Sequence, residues 1–235
     1  MIIDGTLIEA ILFDLDGTLI EIDLKKFVPG YVKLLSDYVK EYVTRKKFIP
    51  RLLEASNRLE NNNGDATNEE VFAAYFFPIE GYTREDLEPR FMQFYKEEFH
   101  KLKQYAKKKP EARPTVKKAF ENGYKVVIAT TPLLPETAIR QRLEWGDLGD
   151  FDYELITSYD QVSATKPNLL YFRNIAEKIN ISPENCLMVG DEDKDMVAAK
   201  LGCKTFLVES ENTDLSSETP EPNFRGTLSD LKELL

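Results

Sequence analysis

Ala10-Ile11-Leu12-Phe13-Asp14-Leu15-Asp16-Gly17-Thr18 is the stretch on which the reading of this chain turns. Four apolar residues bounded by turn-forming ones read as a buried strand. Two carboxylates follow at once, separated by a leucine. At a strand end both can face a cleft, provided Leu15 turns back into the core. Gly17 lets the backbone bend sharply there. One carboxylate of such a pair can attack phosphorus or carbon as a nucleophile. Its neighbour can move a proton. A turn capped by Asp and Gly is the plainer alternative, and only position decides between them. Asp4-Gly5-Thr6 carries half the pattern without a strand before it, and reads as an N-terminal turn.

Working outward, four more short apolar runs read as strands: Val126-Val127-Ile128-Ala129, Tyr153 to Thr157, Leu187-Met188-Val189 and Thr205-Phe206-Leu207-Val208. Helical stretches lie between them. Pro114 to Asn122 is stopped by Gly123, and Pro135 to Trp145 follows the second strand. Asn168 to Ile179 places Leu169, Phe172, Ile175, Ala176 and Ile179 near a 3.6-residue period. Asp195 to Leu201 is stopped by Gly202. The alternation predicts a doubly wound, Rossmann-like α/β domain with a mostly parallel sheet. Ser210 to Pro222 reads as an extended loop and Leu228 to Leu235 as a final short helix.

Residues 20–112 break the alternation and read as an inserted all-helical domain. Tyr31, Leu34, Leu35, Tyr38 and Tyr42 form one apolar face. Further helices are expected from Pro50 to Leu59, Glu69 to Phe77 and Arg84 to Lys107, with Asn61 to Asp65 as a loop. The expected division is therefore 1–19 and 113–235 for the α/β body and 20–112 for the insertion.

Composition narrows the function. The chain has 235 residues, 42% of them apolar, enough for a sizeable core and against disorder. Its net charge is −10, and a groove for nucleic acid is not expected on such an acidic chain. The insertion holds 17 Lys+Arg and 16 Asp+Glu, the rest 14 and 25, so the body carries the excess. An anionic substrate at the body needs a cation or a focused positive group. His100 is the single histidine and sits among lysines, which excludes a multi-histidine metal site. Cys186 and Cys203 form no CxxC pair, so neither a zinc site nor a disulfide framework is indicated, and a reducing cytoplasmic location suits them. No basic leader pattern opens the chain and no run approaches a membrane span.

Three further stations follow predicted strands. Thr130, with Thr131 next to it, can offer a hydroxyl and backbone N–H groups to an anionic oxygen, or simply cap a helix. Lys166-Pro167 places a lysine before a helix whose first position suits proline, a place that favours phosphate. A surface lysine is the bland alternative. Gly190-Asp191-Glu192-Asp193-Lys194-Asp195 crowds four carboxylates, which repel one another unless a cation or solvent intervenes. The helix dipole explains Asp193 and Asp195 without a metal; it explains Asp191, at the strand end, less well. In an open parallel sheet, ligands bind beyond the carboxyl ends of the strands. All four stations fall at that edge.

Taken in this order, the four stations resemble the haloacid dehalogenase-like hydrolase superfamily, across the whole chain. The insertion is similar to the helical cap of its phosphoglycolate phosphatase-like branch. The resemblance implies that Asp14 becomes phosphorylated, that Asp16 protonates the leaving alcohol and then activates water, and that Thr130, Thr131 and Lys166 bind phosphoryl oxygens. It also implies Mg²⁺ held by Asp14, the backbone carbonyl of Asp16, and Asp191, with Asp195 as an outer partner. Asp16 argues against dehalogenation, because the dehalogenases of the superfamily lack that acid. Thr131 stands where many relatives have Asn, Glu192 where Ser is frequent, and Asn168-Leu169 where Asp-Pro is common. A small phosphorylated metabolite is the expected partner, with neither nucleic acid nor membrane. A phosphomutase on the same scaffold is the alternative, and a non-catalytic binding protein a more distant one. Glu21 to Lys26 and Asn61 to Gly64 are candidates for specificity, and Tyr75, Phe76 and Phe77 could line a pocket, but a solvated face explains Lys25 and Lys26 better and core packing the aromatic run.

Overall fold

The computed structural model describes residues 1–3, 5–210, 213 and 215–235. Ile2–Ile3 (β1) and Thr6–Leu7 (β2) pair as a short antiparallel hairpin that turns through Gly5 at φ +79°. Asp4, expected in that turn, lies outside the described residues, as do Glu211, Asn212 and Asp214 of the expected 210–222 loop.

Ala10–Phe13 (β3) is buried on both faces: Ile11 and Phe13 enter one hydrophobic cluster, Ala10 and Leu12 another. That is the two-sided burial typical of a parallel strand. After β3 come Ile20–Ile22 (β4), Leu24–Tyr38 (α1), Arg45–Glu60 (α2), Asn68–Phe76 (α3) and Arg84–Glu97 (α4). A 3₁₀ turn at Phe99–Tyr105 leads into Ala106–Lys108 (β5), then Ala112–Glu121 (α5), Lys125–Ile128 (β6), Glu136–Trp145 (α6) and Leu155–Ile156 (β7). Leu169–Ile179 (α7), Cys186–Gly190 (β8), Asp193–Met196 (α8), Lys204–Val208 (β9), Phe224–Gly226 (β10) and Leu228–Leu234 (α9) complete the chain. Among the described residues no helix is long and apolar enough to cross a membrane.

Six strands form one parallel sheet in the order β10-β9-β8-β3-β6-β7. The predicted doubly wound α/β architecture is present, and all five expected strands lie in this sheet. β10 was not expected; it adds an edge strand of three residues beside β9. The chain leaves β3 for β6 on one side and later crosses to β8 on the other. The crevice where strand order reverses therefore opens at the end of β3.

The inserted helices have their own core, and the sequence misplaced two of their boundaries. Pro50 was expected to begin a helix, yet α2 starts at Arg45 and carries Pro50 inside it. Phe48, Leu52, Ala55 and Leu59 bury one continuous face, and that burial outweighs the single backbone hydrogen bond the proline forgoes. The helix expected to run to Lys107 ends at Glu97; Ala106–Lys108 instead pairs antiparallel with β4. These two strands form the passage into and out of the helical segment. Phe27, Tyr31, Phe94, Tyr95 and Phe99 pack together by their ring edges and faces. Trp145 of α6 stacks on Phe99 at 5.5 Å and joins that cluster to the body.

Candidate active site

The strand register brings the chemistry together. Phe13 lies opposite Ile128 on one side and Val189 on the other. Asp14, Thr130 and Asp191 therefore leave the sheet at nearly one level. Asp14 is fixed by its amide, which donates to the Val189 carbonyl at 2.8 Å. Gly17 adopts φ +86°, and a Cβ there would collide with the Asp191 carboxylate. A Cβ on Gly190 would collide with Asp195. Both glycines make room for acids.

Lys166 is the hub. Its Nζ donates to Asp14 Oδ1 at 2.6 Å and to Asp195 Oδ1 at 2.5 Å, and the three side chains are buried. Burial by itself favours the neutral amine, but the charges of Asp14 and Asp195 prevail and raise the lysine above its ordinary range. Lys166 remains a cation. Pro167 is not the first residue of a helix, as the sequence suggested. α7 begins at Leu169, capped by Asn168, whose Oδ1 accepts from the Leu170 amide at 2.9 Å. Asparagine is the better cap because its oxygen takes one of the orphan amides.

Asp14, Asp191 and Asp195 each offer one oxygen, all within 4.8 Å of one another. Asp191 accepts from Thr18 Oγ1 at 2.8 Å. Burial, then the Asp14 charge, pushes its carboxyl up to about 7 against that hydrogen bond. Burial likewise raises Asp195, opposed by Lys166. Three acids with one lysine leave negative charge in excess. Hard oxygen donors at this spacing fit a divalent cation such as Mg²⁺.

The Asp16 carboxylate is not part of that group. It points to Arg142 of α6, with which it forms a half-buried ion pair, and its Oδ1 has no hydrogen-bond partner. The resemblance assigns Asp16 to the metal by its backbone carbonyl, so this orientation does not conflict with it. Thr130 is buried, and its carbonyl accepts from Thr157 Oγ1 at 2.8 Å and Tyr171 OH at 2.9 Å. Those bonds lock the turn after β6. Thr131, half-buried, lines a cavity of 410 Å³ together with Asp14, Asp16 and Thr130.

Three participants were not read from the sequence. Arg142 is 4% exposed, and its guanidinium stands 5.9 Å from the Phe27 ring centre. A charge in mid-helix gave no signal. Lys109 donates to the Gly17 carbonyl, holding the loop after Asp16. It follows two other lysines, a run that reads as solvated. Thr18, in the loop after Asp16, holds the Asp191 carboxylate through its hydroxyl. Of the segments weighed for specificity, Lys26 forms an exposed pair with Asp23, Phe76 is core and Tyr75 faces solvent beneath Arg58. Asn62 hydrogen-bonds within its own loop and to Asn68.

A model of the haloacid dehalogenase-like hydrolase family matches residues 8–202. The pyrophosphatase PpaX of Bacillus cereus (strain G9842) is 25% identical over 202 residues, covering 86% of this chain and 83% of that protein. A HAD phosphatase from Thermococcus onnurineus superposes with a TM-score of 0.58 at 19% identity, over 97% of both chains. The L-2-haloacid dehalogenase of Xanthobacter autotrophicus superposes with the same score at 16% identity, over 97% of this chain and 98% of that one. At these identities the superpositions speak for the fold alone.

Proposed function

The chain belongs to the haloacid dehalogenase-like hydrolase family, and from that premise we propose that it is a Mg²⁺-dependent phosphatase of a small phosphorylated metabolite, working through an aspartyl-phosphate on Asp14. The observation that carries this reading is the buried Asp14–Lys166–Asp195 chain beside Asp191, opening on a cavity that also holds Asp16.

Asp14 is the nucleophile: its Oδ attacks phosphorus as the bond to the leaving oxygen breaks. Asp16 donates a proton to that oxygen. It then takes a proton from water, whose oxygen attacks phosphorus and breaks the bond to Asp14. Lys166 stays charged and steadies Asp14, and with Thr130 and Thr131 it receives the phosphoryl oxygens. Asp14, Asp191 and the Asp16 carbonyl would hold Mg²⁺, with Asp195 behind them. When bound, the ion supplies charge neutralisation that lets a carboxylate approach a phosphate. Asp16 favours phosphoryl transfer over dehalogenation, since an alkoxide needs a proton to leave and a halide does not. Residues 20–112 serve as the cap over a body of 1–19 and 113–235, excluding water when closed. A cytoplasmic location accords with Cys186 and Cys203, both buried free thiols.

The test is a phosphate-release screen over small phosphoesters and inorganic pyrophosphate, with and without Mg²⁺, beside Asp14→Asn. Wild type should turn over at least one substrate only with Mg²⁺, and the variant should lose at least about 10⁴-fold. Isomerised sugar phosphate in place of free phosphate would make the chain a mutase. Equal inertness of both proteins would make it a binding protein.

A further inference from the structure

Polarity divides the cavity over Asp14 and Asp16. Among the described residues its charged side chains stand on the body floor, in Asp14, Asp16, Arg142, Glu192 and Lys194, with Glu60 alone on the helical roof. The rest of the roof is hydrocarbon, from Phe27, Val28, Val32, Leu53, Phe72 and Phe91 among others. Tyr31 and Tyr95 add little polarity. Their hydroxyls share one hydrogen bond at 2.7 Å, which commits one of the two protons, so ring surface is most of what they offer. Burial raises both phenols, Tyr31 to about 12, and keeps them neutral. Ser56 and Glu60 are the remaining polar side chains of the roof among the described residues.

The roof is also uncovered. Leu24, Val28 and Leu53 are 47%, 46% and 47% exposed, and all three line this cavity. Single exposed hydrophobic residues need no explanation, but three around one opening mark a binding surface. The volume of 410 Å³ falls near the lower end of the roughly 300–1,000 Å³ of small-molecule sites. A sugar or polyol beneath this roof would bury hydroxyls against carbon, with Ser56 and Glu60 to answer them, and an unanswered hydroxyl is disfavoured. An alkyl or aromatic group would be covered without that penalty.

We propose that the cavity selects a phosphomonoester with an apolar leaving group: phosphoryl on the charged floor, an alkyl or aromatic body under the hydrocarbon roof. The inference rests on the phosphatase reading of the same site and names its substrate class. Its test does not require turnover. Methyl-, butyl- and hexylphosphonate cannot be hydrolysed, and their Kd can be measured by calorimetry in the presence of Mg²⁺. Affinity should rise roughly fourfold per methylene until the roof is filled. 3,4-Dihydroxybutylphosphonate, with the same skeleton as butylphosphonate, should bind at least about tenfold more weakly. Leu53→Gln, at a half-exposed position that leaves the core intact, should weaken hexylphosphonate about tenfold more than methylphosphonate. A flat dependence on chain length, or a diol that binds as well as its alkane, would overturn the inference. The two readings fail separately. Phosphoester hydrolysis without chain-length dependence sinks the apolar class alone; the expected phosphonate series without any hydrolysis sinks the phosphatase reading alone.

Discussion

The charged floor and the hydrocarbon roof meet across one cavity, and they are held in place by different means. Floor residues sit one or two steps beyond paired strands, where register fixes their height: Asp14 beside Val189, Thr130 beyond Ile128, Asp191 beyond Gly190. Each then has a dedicated partner, as Asp14 has Lys166 and Asp191 has Thr18. Roof residues depend on helix faces and ring packing, and the Tyr31 and Tyr95 hydroxyls are tied to each other by one hydrogen bond. A reaction needs atoms placed to a fraction of an ångström, and a sheet edge does this. Selecting a leaving group needs shape and polarity, which a packed helical surface can vary without disturbing the sheet.

The sharpest way to break the floor is at Lys166. Lys166→Met keeps the stem and removes the charge, leaving Asp14 and Asp195 facing each other in a buried place. Phosphate release should fall by about 10³-fold. Metal-free stability at neutral pH should drop by about 3–5 kcal/mol. That loss should shrink as pH falls, because protonating Asp195, which burial already raises, relieves the repulsion, and shrink again with added Mg²⁺. Urea unfolding at several pH values, with and without the ion, checks all three. A variant as stable as wild type would mean that the lysine does not hold the two acids together.

Arg142 joins floor to roof and comes next. It pairs with Asp16 and lies against Phe27. Arg142→Gln should lower kcat by roughly 10–100-fold. The loss should fall on kcat more than on KM, because the arginine orients the Asp16 carboxylate that moves the proton. A loss of stability with kcat unchanged would reduce the arginine to packing.

A smaller effect concerns the metal. Asp191, pushed up to about 7, must lose its proton to act as a ligand. Apparent Mg²⁺ affinity should therefore fall about tenfold per pH unit below 7 and level off above it. The sign for the metal-free protein is opposite. Its folded state holds a proton that the unfolded chain releases near 3.8, so this group favours folding at low pH and that contribution is lost as pH rises toward 7. Calorimetric titrations between pH 5.5 and 8, paired with melting curves, read both trends. Affinity that does not vary below pH 7 would remove Asp191 from the ligand set.

The same contrast explains what could be read from residues alone. Asp14, Thr130 and Asp191 were legible because a strand end is a position that sequence marks by an apolar run and a break, and Lys166, a loop beyond β7, by the proline after it. Arg142 was not. Arg140 and Arg142 both stand on α6, and nothing local says that Arg140 pairs with Glu136 in solvent while Arg142 is buried against Asp16. β5 was hidden for a related reason. Ala106-Lys107-Lys108 has no strand-like run of its own and is extended only because Ile20–Ile22 lies opposite. Pro50 misled because local propensity is weaker than the burial of Phe48 and Leu52.

How firmly the roof is seated can be tested at Asn68, with the smallest effect of the four. Its side chain is fully buried where α3 meets the body. Nδ2 donates to the Ala164 carbonyl at 3.1 Å and the Pro132 carbonyl at 3.4 Å, and Oδ1 accepts from Asn62 Nδ2 at 2.8 Å. The backbone amides of Asn68 and Glu69 reach Val162 and Tyr159. This latch closes on the two loops that present Thr130 and Lys166, so it ties the roof to the floor directly. Asn68→Ala takes a donor from the buried Ala164 and Pro132 carbonyls and leaves one N–H of Asn62 without its acceptor, a loss of about 1–3 kcal/mol. The strained state is the docked one, so the helices should separate more readily from the body. KM should rise a few-fold while kcat changes less, because the floor's own contacts remain. Hydrogen exchange should quicken at Asn68 and Glu69 and stay slow in β3 and β8. Equal quickening in those strands would mean that roof and floor open as one unit, and that the division drawn between them is not a division in stability.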